Sequence, residues 1–240
     1  MVSSGDGALD QAVRVIERWG LVAAVTGMVA NVLLLALYTV AQRNSAYEWT
    51  GPANDVIGAV SSWATIPVAL ALLTVLGLFV GAKSRSNATL RVAGSSATLR
   101  VATRLAVVAM GLIVTLNVAL VTDVIPFSVQ AAGAGICVVA MFAWVLMVGR
   151  TGQTTGQLPG RLARTAQLMG AAVLTATPLV GLSLLLPAGS IPQYLVGGAG
   201  LLLVVPAFVA FPIWLLLLST RLRRHLTERE ASAPEITPAV

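Results

Sequence analysis

Residues 63 to 82, WATIPVALALLTVLGLFVGA, run for twenty positions without a charge and end against Lys83 and Arg85. As an α-helix rising ~1.5 Å per residue, the stretch reaches ~30 Å, the thickness of a bilayer's hydrocarbon core. A backbone in hydrocarbon has no water to bond, so a span of this kind must be helical. Five further stretches read the same way, and spans are predicted at about 19–42, 56–82, 105–122, 129–149, 165–186 and 194–219. The expected fold is an all-α integral membrane protein, a six-transmembrane-helix bundle over residues 20–219 with no separate soluble domain.

Hydrophobic residues make up 57 % of the chain and charged residues 10 %, against ~45–50 % and ~25 % in a soluble domain. The net charge of +6 therefore points to membrane orientation. The basic residues sit in short segments beside the spans, without aromatic interleaving, so no nucleic-acid partner is expected. Arginine is the basic residue at fourteen positions and lysine at one, a usage that points to a bacterial genome and the cytoplasmic (inner) membrane.

Single residues exclude whole classes of chemistry. The lone Cys137 cannot form an intramolecular disulfide, and the lone His225 lies past the last span. A Cys/His zinc site, a bis-histidine haem and a histidine-based catalytic dyad in the membrane are thereby excluded. Lys83, at a span end, is no Schiff-base candidate. No Gly-rich phosphate loop, G-x-S-x-G elbow or H-E-x-x-H helix is present. The expectation is a non-enzymatic protein with no cofactor and no metal. Proton-driven transport is disfavoured as well, because no ionisable residue falls between the predicted span ends.

Residues 1–19 are expected as a cytoplasmic amphipathic segment. Leu9, Val13 and Ile16 recur at helical spacing over 7 to 18, which predicts a short helix lying on the membrane surface. RNSAYEWTGPAND, residues 43–55, is expected as a structured outer loop punctuated by Gly51-Pro52. The loop 83–104 carries Lys83, Arg85, Arg91, Arg100 and Arg104 with no acid, and repeats ATLRVA at 88–93 and 97–102; it fits either a strip on anionic headgroups or a tolerant loop. Ala131 and Gly135 in span 4, and Gly77 and Gly81 in span 2, are spaced for close helix contact. Residues 220–240 are expected as a cytoplasmic, disordered tail. With both termini cytoplasmic, fourteen of the fifteen basic residues lie inside and only Arg43 outside. On that topology Trp19, Trp144 and Trp214 are inner interface anchors, while Tyr38, Trp49, Trp63 and Tyr194 are outer ones.

Spans 1 and 3 align without a gap, matching Arg14 to Arg100, Arg18 to Arg104 and Asn31 to Asn117; Arg164 under Arg104 adds Thr177 and Pro178 of span 5. The alignment points to three repeated helical hairpins. Asn31, Asn117 and Thr177 each fall thirteen residues past an arginine, which predicts one shared depth ~20 Å into the membrane. Such amides serve either as glue between helices or as the polar floor of an outward-facing cavity walled by spans loosened at Pro67 and Pro178. Trp63 and the outer acids Glu48, Asp55 and Asp123 complete the candidate ligand-binding set, although the acids also suit helix capping and topology. The expected function is to bind or pass an apolar or lipid-like ligand through the outer half of the bundle. The alternative is an accessory or assembly subunit. Membrane lipids, such a ligand, and a membrane-protein partner or second copy (a homo-oligomer) are the expected partners.

Overall fold

The computed structural model describes residues 4–39, 49–84 and 89–231, with side-chain surroundings for 7–37, 39, 49–77 and 97–228. Six α-helices hold nearly all of them: α1 (Ser4–Thr39), α2 (Thr50–Ser84), α3 (Thr89–Val121), α4 (Phe127–Thr155), α5 (Gly160–Leu185) and α6 (Ile191–Ala231). All six are long and apolar enough to cross a membrane, as in a multi-pass membrane protein. Short connections make sequential helices antiparallel neighbours. Each packs on the next, α6 returns against α1 to close the ring, and α2 also touches α4 across the interior. The start of α1 and the end of α6 therefore lie at one end, called here the terminal end. The α1–α2, α3–α4 and α5–α6 connections lie at the other, the distal end.

Local chemistry sets the breaks. Pro126 and Pro159 stand immediately before α4 and α5, where a missing N–H costs nothing because the first turn has no carbonyl to bond. Gly156 closes α4 in the left-handed region at φ 69°, with its N–H bonded to the Gln153 carbonyl at 3.3 Å. Inside α6, Pro212 cannot donate to the Phe208 carbonyl. Asn31 of α1 supplies the missing donor, Nδ2 to that carbonyl at 3.2 Å. At the same crossing a Cβ on Gly27 would lie 3.1 Å from Pro212 Cβ, and Ser61 Oγ donates to the Ala23 carbonyl at 3.0 Å. Helices α1, α2 and α6 thus meet at Gly27, where a Cβ would also lie 3.0 Å from Ser61 Oγ.

The core is concentrated in the middle and terminal half. Trp144, Trp214 and Phe142 are fully buried there, along with Ile16, Leu72, Leu158 and Leu222. Helices α4 and α5 meet through glycines: a Cβ on Gly170 would lie 2.6 Å from Leu146 Cβ and 2.7 Å from the Phe142 carbonyl. Trp214 Nε1 donates to the Leu162 carbonyl at 2.9 Å, tying α6 to α5. Lipid tails are as apolar as leucine, so close packing and such bonds, more than hydrophobicity, hold these helices together.

Several helices outrun their predicted spans. Residues 7–18 are the opening turns of α1 and no separate surface helix; Ala12, Val13 and Ile16 are buried in one cluster with Leu222 and Leu226 of α6. A stripe that could lie on lipid is instead covered by α6, which continues to Ala231 through most of the expected tail. Arg223 fixes that overlap, bonding Glu17 at 2.8 Å and approaching Asp10 at 3.5 Å. Helix α3 likewise starts at Thr89, so the expected basic loop is largely helical, and α2 starts at Thr50 with Gly51-Pro52 inside its first turn. Residues 40–48, 85–88 and 232–240 lie outside the described residues.

Three expectations about side chains fail. Trp144 and Trp214, expected as interface anchors, are fully buried in the core. Trp19 and Trp63, assigned to opposite interfaces, meet edge to face with centroids 5.2 Å apart. Trp63 sits thirteen residues into α2, roughly 20 Å along it, because the helix begins before its apolar run. Gly77 and Gly135 meet nothing within 4 Å, and Ala131 is exposed, so these residues face outward. The close contacts fall to Gly149, Gly170 and Gly200 instead. The surroundings of Gly81 lie outside the described residues.

Candidate ligand groove at the distal end

An amide inside a bundle needs partners, and near the distal end three helices supply them. Asn117, 7 % exposed on α3, donates from Nδ2 to the Asp55 carbonyl of α2 at 3.1 Å. Its Oδ1 accepts from Gln130 Nε2 of α4 at 2.8 Å. Gly58 lies beside the bond, where a Cβ would make ordinary contact, 3.7 Å from Asn117 Nδ2.

Beside this bond the seam between α2 and α3 opens into a cavity of about 320 Å³. Val56, Ala59, Val60 and Trp63 form one wall and Val114, Val118 and Val121 the other; Asp55, Asn117 and Thr122 complete the lining, and the surface exposed to the cavity is apolar. Val60, Trp63 and Val118 are exposed on the bundle surface, so the cavity is a groove open on the outer face of the bundle. A second cavity of about 560 Å³ adjoins it, between the ends of α1, α2 and α3. Its lining includes Leu34, Leu37, Asn54, Asp123 and Phe127, and it shares Asp55 and Val121 with the first. Asn54 Nδ2 reaches Asp55 Oδ1 at 3.5 Å. Asp123 occupies the left-handed region at φ 55°, which aspartate tolerates better than most residues.

Apolar walls with a few convergent polar groups, within ~300–1,000 Å³, are the usual make-up of a small-ligand site. An acyl chain could lie along the valines while a polar end reached Asp55 and Asp123, which as carboxylates only accept hydrogen bonds or pair with cations. A third cavity of about 410 Å³, beside Leu202 and Pro206, is formed by α6 alone.

The nine candidate residues divide. Asp55, Trp63 and Asn117 line one groove and Asp123 its neighbour. Asn31 is spent on the Phe208 carbonyl, away from that seam. Thr177 and Pro178 are exposed, and Thr177 Oγ1 bonds its own helix at the Val173 carbonyl, 2.9 Å away. Contact of Val180 with Gly200 and of Ser183 with Gly197 sets Thr177 opposite about residue 203. That is five residues, roughly 7 Å, distal of Phe208, so the expected common depth is not kept by the third residue. Pro67 lies deeper in α2 than either cavity, and Glu48 lies outside the described residues.

Gln130 and the valine walls were not singled out from sequence. The available signal was a lone long amide one turn after Pro126 in an otherwise apolar span. Among the described residues no three His, Cys, Asp or Glu side chains are placed to hold a metal ion. Comparison of the chain with protein-family models, curated proteins and solved structures finds no match in any of the three.

Proposed function

We propose that this is a non-enzymatic protein of the bacterial cytoplasmic membrane that holds a lipid-like molecule in the α2–α3 groove, its polar end at Asp55 and Asp123 in the adjoining cavity. The observation that carries this reading is the continuity of an apolar, laterally open groove with a second cavity that Asp55 and Asp123 line. The proposed orientation, with both termini cytoplasmic, is supported by charge: every arginine with a described side chain lies in the terminal half.

The test uses the purified full-length protein in lipid nanodiscs with a phospholipid bearing a diazirine in its acyl chain. Photolabelling should concentrate on 56–63 and 114–122. Val60→Trp, which fills the groove and leaves the Asn117 bonds alone, should reduce it several-fold. Uniform labelling around the bundle, or labelling unmoved by Val60→Trp, would overturn the proposal.

The accessory-subunit reading has one observation in its favour: Gly77 and Gly135 offer small-residue surface that nothing inside the bundle uses. A stoichiometric heterologous partner retained in mild detergent, and lost on Gly135→Leu, would favour it over the groove.

A further inference from the structure

The two distal cavities share Asp55 and Val121 but differ in character. The groove between α2 and α3 exposes apolar surface alone. Its neighbour, about 560 Å³, is lined by Asn54, Asp55 and Asp123 as well as by leucines. Nearby polar side chains are already engaged. Asn117 donates to the Asp55 carbonyl and accepts from Gln130, and Thr122 Oγ1 donates to the Val118 carbonyl at 2.8 Å. Asn54 Nδ2 turns to Asp55 Oδ1. What is left at the head of the site is two carboxylates, which accept hydrogen bonds and donate none.

Nothing nearby neutralises them. Among the described residues no lysine, arginine or histidine lines either cavity. The sequence joining α1 to α2 adds Arg43 and Glu48, one charge of each sign. The start of α2 reaches the larger cavity at Gly51, and a helix N-terminus acts as roughly half a positive charge. Two full carboxylate charges outweigh it. Acids at helix ends are ordinarily solvated; these two line a cavity of ligand size, and the groove beside it takes a chain. Length sets the leaflet. Val56 to Trp63 and Val114 to Val121 each rise roughly 10 Å, less than half of a ~30 Å hydrocarbon core, so head and groove fit within the distal leaflet.

We infer that the ligand is a cationic amphiphile of the distal leaflet, with one chain along the valines and a primary ammonium that donates to Asp55 and Asp123; this rests on the groove proposed above. A phosphate or sulfate head would meet two like charges with no cation to answer them. A quaternary ammonium carries the charge but lacks the donors.

The purified full-length protein in phosphatidylcholine nanodiscs is photolabelled at the α2–α3 seam with the diazirine phospholipid, against chain-matched competitors. These are tetradecylamine, tetradecyltrimethylammonium and tetradecyl sulfate. Tetradecylamine should displace the label at about one-tenth the concentration of the sulfate, the ratio expected for one net charge-assisted bond. The trimethylammonium should fall between them. Asp55→Asn/Asp123→Asn keeps both side-chain shapes, suits the left-handed backbone at 123 and leaves the bond from Asn117 to the residue 55 carbonyl in place. In that variant amine and sulfate should compete within about twofold of each other. Equal competition by amine and sulfate in the unaltered protein would overturn the inference, and so would an amine advantage that survives the double variant. A trimethylammonium as effective as the amine would overturn the donor requirement. Each of these results leaves the groove standing, because seam labelling and its loss in Val60→Trp do not depend on the head group. Absence of seam labelling would overturn both.

Discussion

In the terminal half of the bundle Trp144, Trp214 and Phe142 are fully buried and Gly170 lets α4 and α5 touch backbone to side chain. In the distal half the seams open into cavities of about 320 and 560 Å³, and α2, α3 and α4 are joined by an amide relay through Asn117 and Gln130. The same alphabet of Leu, Val, Ala and Gly builds both halves. They differ in where large side chains meet small ones across a seam. A close-packed end resists substitution and holds its helices in place; an end held by a few polar bonds leaves room beside them. A ligand groove belongs to the second kind of end.

Substitutions can break or sharpen this contrast. The largest effect is expected from Trp214→Ala, a loss of about 3–5 kcal/mol in a thermal or denaturant unfolding series in detergent. A paired test refines it. Trp214→Phe removes the donor to the Leu162 carbonyl, whereas Trp144→Phe removes an Nε1 that has no partner among the described residues. The first should therefore cost more than the second, and the reverse order would mean that Trp144 has a partner not seen here. Gly170→Val comes next, at about 1–3 kcal/mol from overpacking. The added Cβ would fall inside contact distance of Leu146 and the Phe142 carbonyl.

At the distal end Asn117→Leu should cost about 0.6–2 kcal/mol for each of the two interhelical bonds it removes, and also remove acyl-chain photolabelling of the α2–α3 seam. Asn31→Leu, which removes one such bond, should cost about half as much and leave that labelling unchanged, since its bond goes to the Phe208 carbonyl. Equal loss of labelling in both variants would show that the two asparagines act on one site. The smallest effect is expected from Gly135→Ala, a gain of no more than about 1 kcal/mol from helix propensity. A clear loss in the isolated protein would mean that this open surface is in use.

The helices themselves were legible because hydropathy adds up along consecutive residues, and twenty apolar positions in lipid leave the backbone no other conformation. Helix ends were less so. Polar residues such as those at 97–104 or 220–228 are as compatible with helix as with loop, and only packing against a neighbour decides. That is why the opening of α1 and the end of α6 were misjudged together: each covers the other.

Of the candidate site, sequence supplied Asp55, Trp63, Asn117 and Asp123 as unusual residues near one end, while Gln130 and the valine walls required neighbours to be known. Gly77 and Gly135 carry the same small-residue cue as Gly149 and Gly170, yet the first pair meets nothing and the second pair meets another helix. Asn31 and Asn117 stand equally far from an arginine, and ring closure gives one a carbonyl freed by Pro212 and the other a relay between α2 and α4. The sequence by itself determined six apolar helices, since that property is summed along a single strand of chain. Which faces touch, which amides are used up and where a groove is left were decided only by tertiary structure, because a side chain's partner lies across a seam and not along the chain.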